Sequence, residues 1–253
     1  MKLHVVPPRT GIEWVRLGLR TFFRQPLALA GLFFMYMTAV LVLSQVPVIG
    51  VVIGGLLVPA ATLGLMAATA EASRGRFPMP SVLISAFRAG RQRARAMLVL
   101  GAIYTTGSIV ASGLAALIAG APQDPQPGQF DASTLLALVL HAPLFLMFWH
   151  APALVHWHGI TPAKSLFFSM VAVVRNFGAH VVFSLSWLAL FLGAGSLMGL
   201  LGGILGGPGL AQAMMMPVAL MLAAMFSCSI YFTFRDSFVS EDVVEAPEQQ
   251  QAP

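Results

Sequence analysis

The sequence predicts an all-α polytopic membrane protein with six transmembrane helices, and three observations predict it. Only 9% of the residues are charged against 58% hydrophobic, with a mean hydropathy of +0.84, where a soluble domain carries about 25% charge. Six apolar runs reach the length of about 20 residues that crosses a bilayer, at approximately 27–46, 48–70, 97–119, 134–157, 179–205 and 209–233. All 14 Lys and Arg fall in alternate connections between those runs.

The charge placement sets the expected topology. Lys2, Arg9, Arg16, Arg20 and Arg24 precede the first run, and Arg74, Arg76, Arg88, Arg91, Arg93 and Arg95 lie between the second and third. Lys164 and Arg175 lie between the fourth and fifth, and Arg235 follows the sixth. Cytoplasmic connections carry the Lys and Arg excess. The pattern therefore predicts a multi-pass protein of the bacterial inner membrane with both termini in the cytoplasm, and an even number of spans agrees. The net charge of +5 follows from this topology and gives no reason to expect nucleic acid as a partner. The first run starts after about 25 polar and amphipathic residues and lacks a small-x-small cleavage site, so it is expected to remain as a helix and not act as a signal peptide. Residues 1–240 are expected to form a single integral membrane domain. The acidic, polar stretch 241–253, EDVVEAPEQQQAP, is expected to be a disordered tail.

The basic connections carry helical patterns of their own. Thr10-Gly11-Ile12-Glu13 reads as a capping box. Glu13, Arg16, Arg20 and Arg24 then form one polar stripe opposite Ile12, Val15, Leu19, Phe22 and Phe23. A second helix is expected after Pro80, with Arg88, Arg91 and Arg95 on one stripe, and Thr161-Pro162 opens a third as N-cap and first helical residue. Each reads as an amphipathic helix in the cytoplasmic interface with its basic groups towards lipid headgroups. The order of interfacial helix, span, tight return and span then occurs three times, starting near residues 10, 81 and 161, which predicts three degenerate repeats. The second span of each repeat holds a proline: Pro59, Pro152 and Pro217.

The most unusual span is 134–157. It carries His-Ala-Pro twice, at His141 to Pro143 and His150 to Pro152, and leads into Trp149, His150, His156, Trp157 and His158. Prolines and histidines in hydrocarbon leave polar groups that need partners inside the protein. His141, Trp149, His150, His156, Trp157 and His158 are accordingly the candidate ligand or partner site. The carbonyls of Val139 and Phe148, four residues before Pro143 and Pro152, lose their helical donors, and the two histidines stand close enough to supply replacements. His141 and His150 are nine residues apart, about 180° around an ideal helix, and no Cys, Asp or Glu stands near them. Neither a metal site nor a cofactor site is expected, and metal or haem binding ranks as the weakest functional reading. The plainer reading of the histidines is hydrogen bonding to neighbouring helices, with His156, Trp157 and His158 in an interfacial aromatic belt.

The remaining chemistry narrows the function further. Glu71 stands at the end of the second span and the other carboxylates lie outside the spans, which argues against carboxylate-coupled transport and against glycoside hydrolysis by an acid pair. No GxSxG, HExxH or Walker pattern occurs, so no catalytic residues are assigned and the protein is not expected to be an enzyme. Arg16, Arg20, Arg24, Arg88, Arg91 and Arg95 are candidate contacts to anionic headgroups, each worth about 1 kcal/mol near the surface; positive-inside charge alone is the plainer reading. Gly195, Gly199, Gly203 and Gly207, spaced by four, let helix backbones approach closely. They do so either inside the chain or in a seam with a membrane-protein partner or a second copy.

The stretches TFFRQPLALAGLFF, FPMPSVLISAFRAGRQRARAMLVLGA, FWHAPALVHWHGITPAKSLFFS and YFTFRDSF resemble a family of uncharacterised proteobacterial six-helix inner-membrane proteins, over nearly the whole length. FWHAPALVHWHG is the most specific block. The repeated layout is also distantly similar to the membrane domain of glycerophosphodiester phosphodiesterases, in architecture only. The family likeness implies location and topology and no activity. The function expected is binding or organisation of anionic lipid or of a membrane partner; the alternative is a carrier or channel for a small or amphipathic solute.

Overall fold

In hydrocarbon every backbone N–H and C=O has to be satisfied within the protein, which leaves long apolar runs no option but helix. The computed structural model describes residues 2–120, 131–205 and 207–239. In chain order the helices are α1 (Thr10–Arg24), α2 (Pro26–Ser44), α3 (Ile49–Ser73), α4 (Ser85–Arg88, after a 3₁₀ turn over Pro80–Ile84), α5 (Arg91–Ala119), α6 (Ala132–Phe148), α7 (Ala151–His158), α8 (Pro162–Arg175), α9 (Phe177–Leu205) and α10 (Pro208–Ser237). Two short strands, β1 (Lys2–Leu3) and β2 (Phe238–Val239), pair antiparallel with Lys2 opposite Val239. Six segments are long and apolar enough to cross a membrane: α2, α3, α5, α6 with α7, α9, and α10. The protein is thus an all-α polytopic membrane protein, and a shorter helix precedes each pair of spans. The expected tail at 241–253 lies outside the described residues.

The sequence predicts one membrane domain, and contacts within the chain group it into two compact units. The first takes Met1–Met35, Leu65–Val82 and Ala172–Pro253; the second takes Tyr36–Gly64 and Leu83–Val171.

In the first unit α1 docks on α9 and α10 through a stripe of Gly11, Trp14, Val15, Gly18, Thr21 and Phe22. Two glycines make the close approach possible. A Cβ on Gly18 would lie 2.6 Å from Cβ of Ser229, and one on Gly11 would meet the carbonyl oxygen of Ala179. The expected apolar side is therefore only partly right. Val15 and Phe22 are buried, while Ile12 and Phe23 are 57% and 65% exposed beside the arginines. The capping box is also absent. Helix α1 begins at Thr10 with Arg9 as N-cap and no side-chain cap bond, because the carbonyls of Pro7 and Pro8 accept from the N–H groups of Thr10 and Gly11 instead. Asn176, at the junction of α8 and α9, ties the chain ends together. Its Oδ1 accepts from Val6 N–H at 2.9 Å, and its Nδ2 donates to His4 O at 3.1 Å and to Ser237 Oγ at 3.3 Å.

In the second unit Ala60, Leu63, Ala86, Met97, Leu100, Phe148, Ala151, Val155 and Leu166 form one apolar core. It joins α3, α4, α5, α6, α7 and α8. The helix expected after Pro80 is not continuous. The chain makes a 3₁₀ turn and then α4, and Gly90 at φ 101° separates α4 from α5. Arg88 therefore ends one helix while Arg91 and Arg95 open another, and the three do not share a stripe. Only glycine adopts that φ at no cost, so the break is written at one residue that the arginine spacing conceals.

Gly195, Gly199 and Gly203 lie on α9 and Gly207 caps α10, and among the described residues none of the four is closely approached. A Cβ on Gly195, Gly199, Gly203 or Gly207 would meet nothing within 4 Å. Of the prolines in second spans, Pro59 and Pro217 are accommodated inside continuous helices, as is Pro143 in α6. Pro152 alone coincides with a break.

Candidate functional site

The expected span 134–157 is two helices. Helix α6 ends at Phe148, Trp149 and His150 form a turn, and α7 restarts at Ala151 with Pro152 in its first turn. Proline tolerates that position because an N–H there has no helical acceptor. The repair of the break comes from α8. Ser169 Oγ donates to Leu146 O at 2.9 Å and accepts from His150 N–H at 2.9 Å. In an unbroken helix those two groups would bond each other; here one hydroxyl stands between them. The sequence reading places the relief on the histidine side chains and passes over Ser169. The available signal is a pair, Ser165 and Ser169, four apart on one face of α8 and both fully buried.

The candidate residues fall into separate settings. His150 is fully buried at the break, and Trp149 beside it is half-buried. His141 is half-buried two turns earlier, with Nδ1 2.7 Å from Ala137 O and Nε2 3.0 Å from Ser108 Oγ on α5. The carbonyl it serves is its own helical acceptor four residues back and not that of Val139. His156, Trp157 and His158 close α7, all half-buried, with the rings of His156 and Trp157 edge-on at 5.9 Å. Trp157 also packs on the apolar core. The histidines therefore do not converge, and no group of three or more His, Cys, Asp or Glu gathers among the described residues. Helix α7 ends at Gly159, at φ 66°, with Ile160 N–H reaching back to Leu154 O at 3.4 Å, a left-handed stop that glycine favours.

The candidate lipid contacts share one environment. Arg16, Arg20, Arg24, Arg88, Arg91 and Arg95 are all exposed. Arg24 Nη1 donates to Ser73 O at 3.5 Å. Among the described residues the ion pair formed is Arg235 with Asp236 at 2.7 Å, and none of these six takes part in one. Bulky apolar side chains are exposed beside them. Ile12, Phe23 and Leu27 accompany the arginines of α1, Phe77, Met79, Ile84 and Phe87 lie around α4, and Phe167, Met170 and Val174 share the outer face of α8 with Lys164.

Six apolar spans, with basic amphipathic segments ahead of each pair, define an integral multi-pass membrane protein. The chain is 38% identical over 255 aligned positions to a probable inner membrane protein of Burkholderia thailandensis, and the match covers 94% of each. This chain belongs to that family of inner membrane proteins. No family model matches the chain, and no solved structure matches it.

Proposed function

We propose that this inner-membrane protein is non-enzymatic, has both termini in the cytoplasm, and binds or organises anionic lipid through the outer faces of α1, α4, the start of α5, and α8. The observation that carries the reading is the pairing of exposed arginines, free of ion pairs among the described residues, with exposed Phe, Ile, Leu and Met on the same elements. A water-facing surface gains nothing from such apolar groups. At a bilayer interface they enter the acyl boundary while guanidinium groups reach phosphate. Replacing Arg16, Arg20, Arg88, Arg91 and Arg95 together by Gln should reduce co-purified phosphatidylglycerol and cardiolipin, read by lipid mass spectrometry, with the fold retained. Unchanged lipid would leave the arginines with a topological role alone. For orientation, reporter fusions at Arg76, Lys164 and Pro253 should read cytoplasm, and fusions at Pro125 and Pro208 periplasm. A cytoplasmic reading at Pro125 would refute the six-span orientation.

One observation favours the carrier or channel reading: the Ser108–His141 pair stands far from the ends of both its spans. If a solute path passes it, a cysteine at Ser108, in a protein whose Cys228 has been replaced by Ala, should react with a water-soluble maleimide in intact membranes. Absence of labelling, with a cysteine at Thr161 labelled as control, would remove that reading.

A further inference from the structure

A cavity of ≈ 300 Å³ opens in the second unit where α5 begins and α7 passes into α8, lined by Gln92, Arg93, Ala96, Val155, Gly159, Ile160, Thr161 and Pro162. Its depth in the membrane follows from its walls. Arg91 starts one span and His158 ends another, so the cavity lies at the level where acyl chains give way to headgroups. Its chemistry is divided. Ala96, Val155 and Ile160 offer an apolar floor, and Gln92, Arg93 and Thr161, all exposed at its rim, offer donors.

The electrostatics of the cavity have one sign. Arg93 is its charged residue, and it lies in the first turn of a 29-residue helix, where N–H groups have no acceptor in the helix and the macrodipole is positive. Thr161 and Pro162 open α8 at the same place. The one carboxylate among the described residues of this unit is Asp131, which caps the opposite end of the span that finishes at His158. Among the described residues of this unit, no carboxylate stands at the cavity to compete for Arg93.

We infer that this cavity is a phosphate site. Arg93 takes the phosphodiester of an anionic phospholipid, Gln92 and Thr161 add hydrogen bonds, and the glycerol rests on Ala96, Val155 and Ile160. A soluble glycerol phosphate presents the related phosphomonoester on the same glycerol. The inference rests on the lipid reading above and deepens it. It assigns a single open-mouthed site to an arginine outside the set named above.

The test is native mass spectrometry of the full-length, delipidated protein, titrated in one arm with phosphatidylglycerol and in another with glycerol 1-phosphate. The wild type should bind one lipid more tightly than all later ones. Arg93→Gln should weaken that step about tenfold, the loss expected for one charge-assisted contact. Ala96→Leu, which fills the floor and leaves the charge in place, should weaken it as well, and it carries the test should Arg93→Gln fail to fold. Glycerol 1-phosphate binding that depends on Arg93, without the tight lipid step, upholds the phosphate site and assigns it to a soluble ester. Wild-type binding by both variants in both arms overturns it. The five-fold arginine variant separates the two claims. It should lose the weaker lipids and keep the tight one; if it keeps all of them, the surface reading fails and this site stands.

Discussion

The two units handle buried polar groups in different ways. In the first, Asn176 joins pieces of chain that have no regular ladder between them: one amide, 1% exposed, bonds the backbone at Val6 and His4 and the hydroxyl of Ser237. In the second, Ser169 adds no new piece of chain. It restores continuity across a break between two helices that are otherwise fully formed. An asparagine can serve three partners at once because its amide carries two donors and an acceptor; a hydroxyl inserted into a helix serves two. The apolar sequence supplies the helices, while single polar residues decide how their ends and breaks are held.

The largest effect should come from Asn176→Ala. It removes three hydrogen bonds and leaves the Val6 N–H and the Ser237 side chain buried without them, at a cost of about 3 kcal/mol. Unfolding followed by tryptophan fluorescence should show it, and protection of the N-terminal amides from hydrogen exchange should be lost with it. A change within experimental error would mean that the strand pair and α1 hold the termini unaided. Next is Gly18→Ala. The added methyl meets the backbone and Cβ of Ser229 at 2.6–2.9 Å, and helix α1 has to move off α10, costing about 2 kcal/mol. Wild-type stability would show that α1 is not seated as closely as described. Third is Ser169→Ala, which leaves Leu146 O and His150 N–H without their bridge at a cost of about 1–2 kcal/mol. The signature that sets it apart is local: the His150 amide should exchange faster while the amides of α10 keep their protection. Uniform loss across both units would erase the contrast between a tie and a repair.

The six spans were legible because hydropathy and charge act over twenty residues at a time, and errors at single positions average out. Of the three helical elements ahead of the span pairs, α8 starts at Pro162 as Thr161-Pro162 predicts, while the other two were legible only in part, since each is settled by one or two residues. Gly90 divides the segment that Arg88, Arg91 and Arg95 suggest is one helix, and Gly11 and Gly18 turn α1 so that Trp14 faces inward and Ile12 and Phe23 outward. The break in the fourth span could be suspected from Pro152, but four prolines stand in the interior of spans and three are absorbed without a break. What distinguishes the fourth is a serine on another helix, 17 residues later, and a contact of that kind has no trace in local periodicity. The histidines drew notice because they are rare in hydrocarbon. The residue that acts at the break is ordinary in composition and unusual only in being fully buried. Arg93, on which the proposed phosphate site rests, breaks the three- and four-residue spacing that picks out its neighbours.

The smallest effect is expected at a glycine with no close neighbour. Gly18 and Gly199 both sit in helices of the first unit, and sequence patterns treat them alike as small residues at a helix contact. Gly18 meets Ser229, whereas a Cβ on Gly199 meets nothing within 4 Å. Gly199→Ala should therefore leave stability within about 0.5 kcal/mol, or raise it slightly, since alanine favours helix over glycine by about 1 kcal/mol. Leucine at the same position should be tolerated nearly as well in detergent-solubilised monomer, where Gly199 is exposed. The pair Gly18→Ala and Gly199→Ala, unfolded side by side, isolates close packing from glycine content because the chemical change is identical. A loss of 2 kcal/mol or more at Gly199 in the monomer would show that the stripe is packed against its own chain after all. The same loss in membranes alone would mean that a second molecule lies on it.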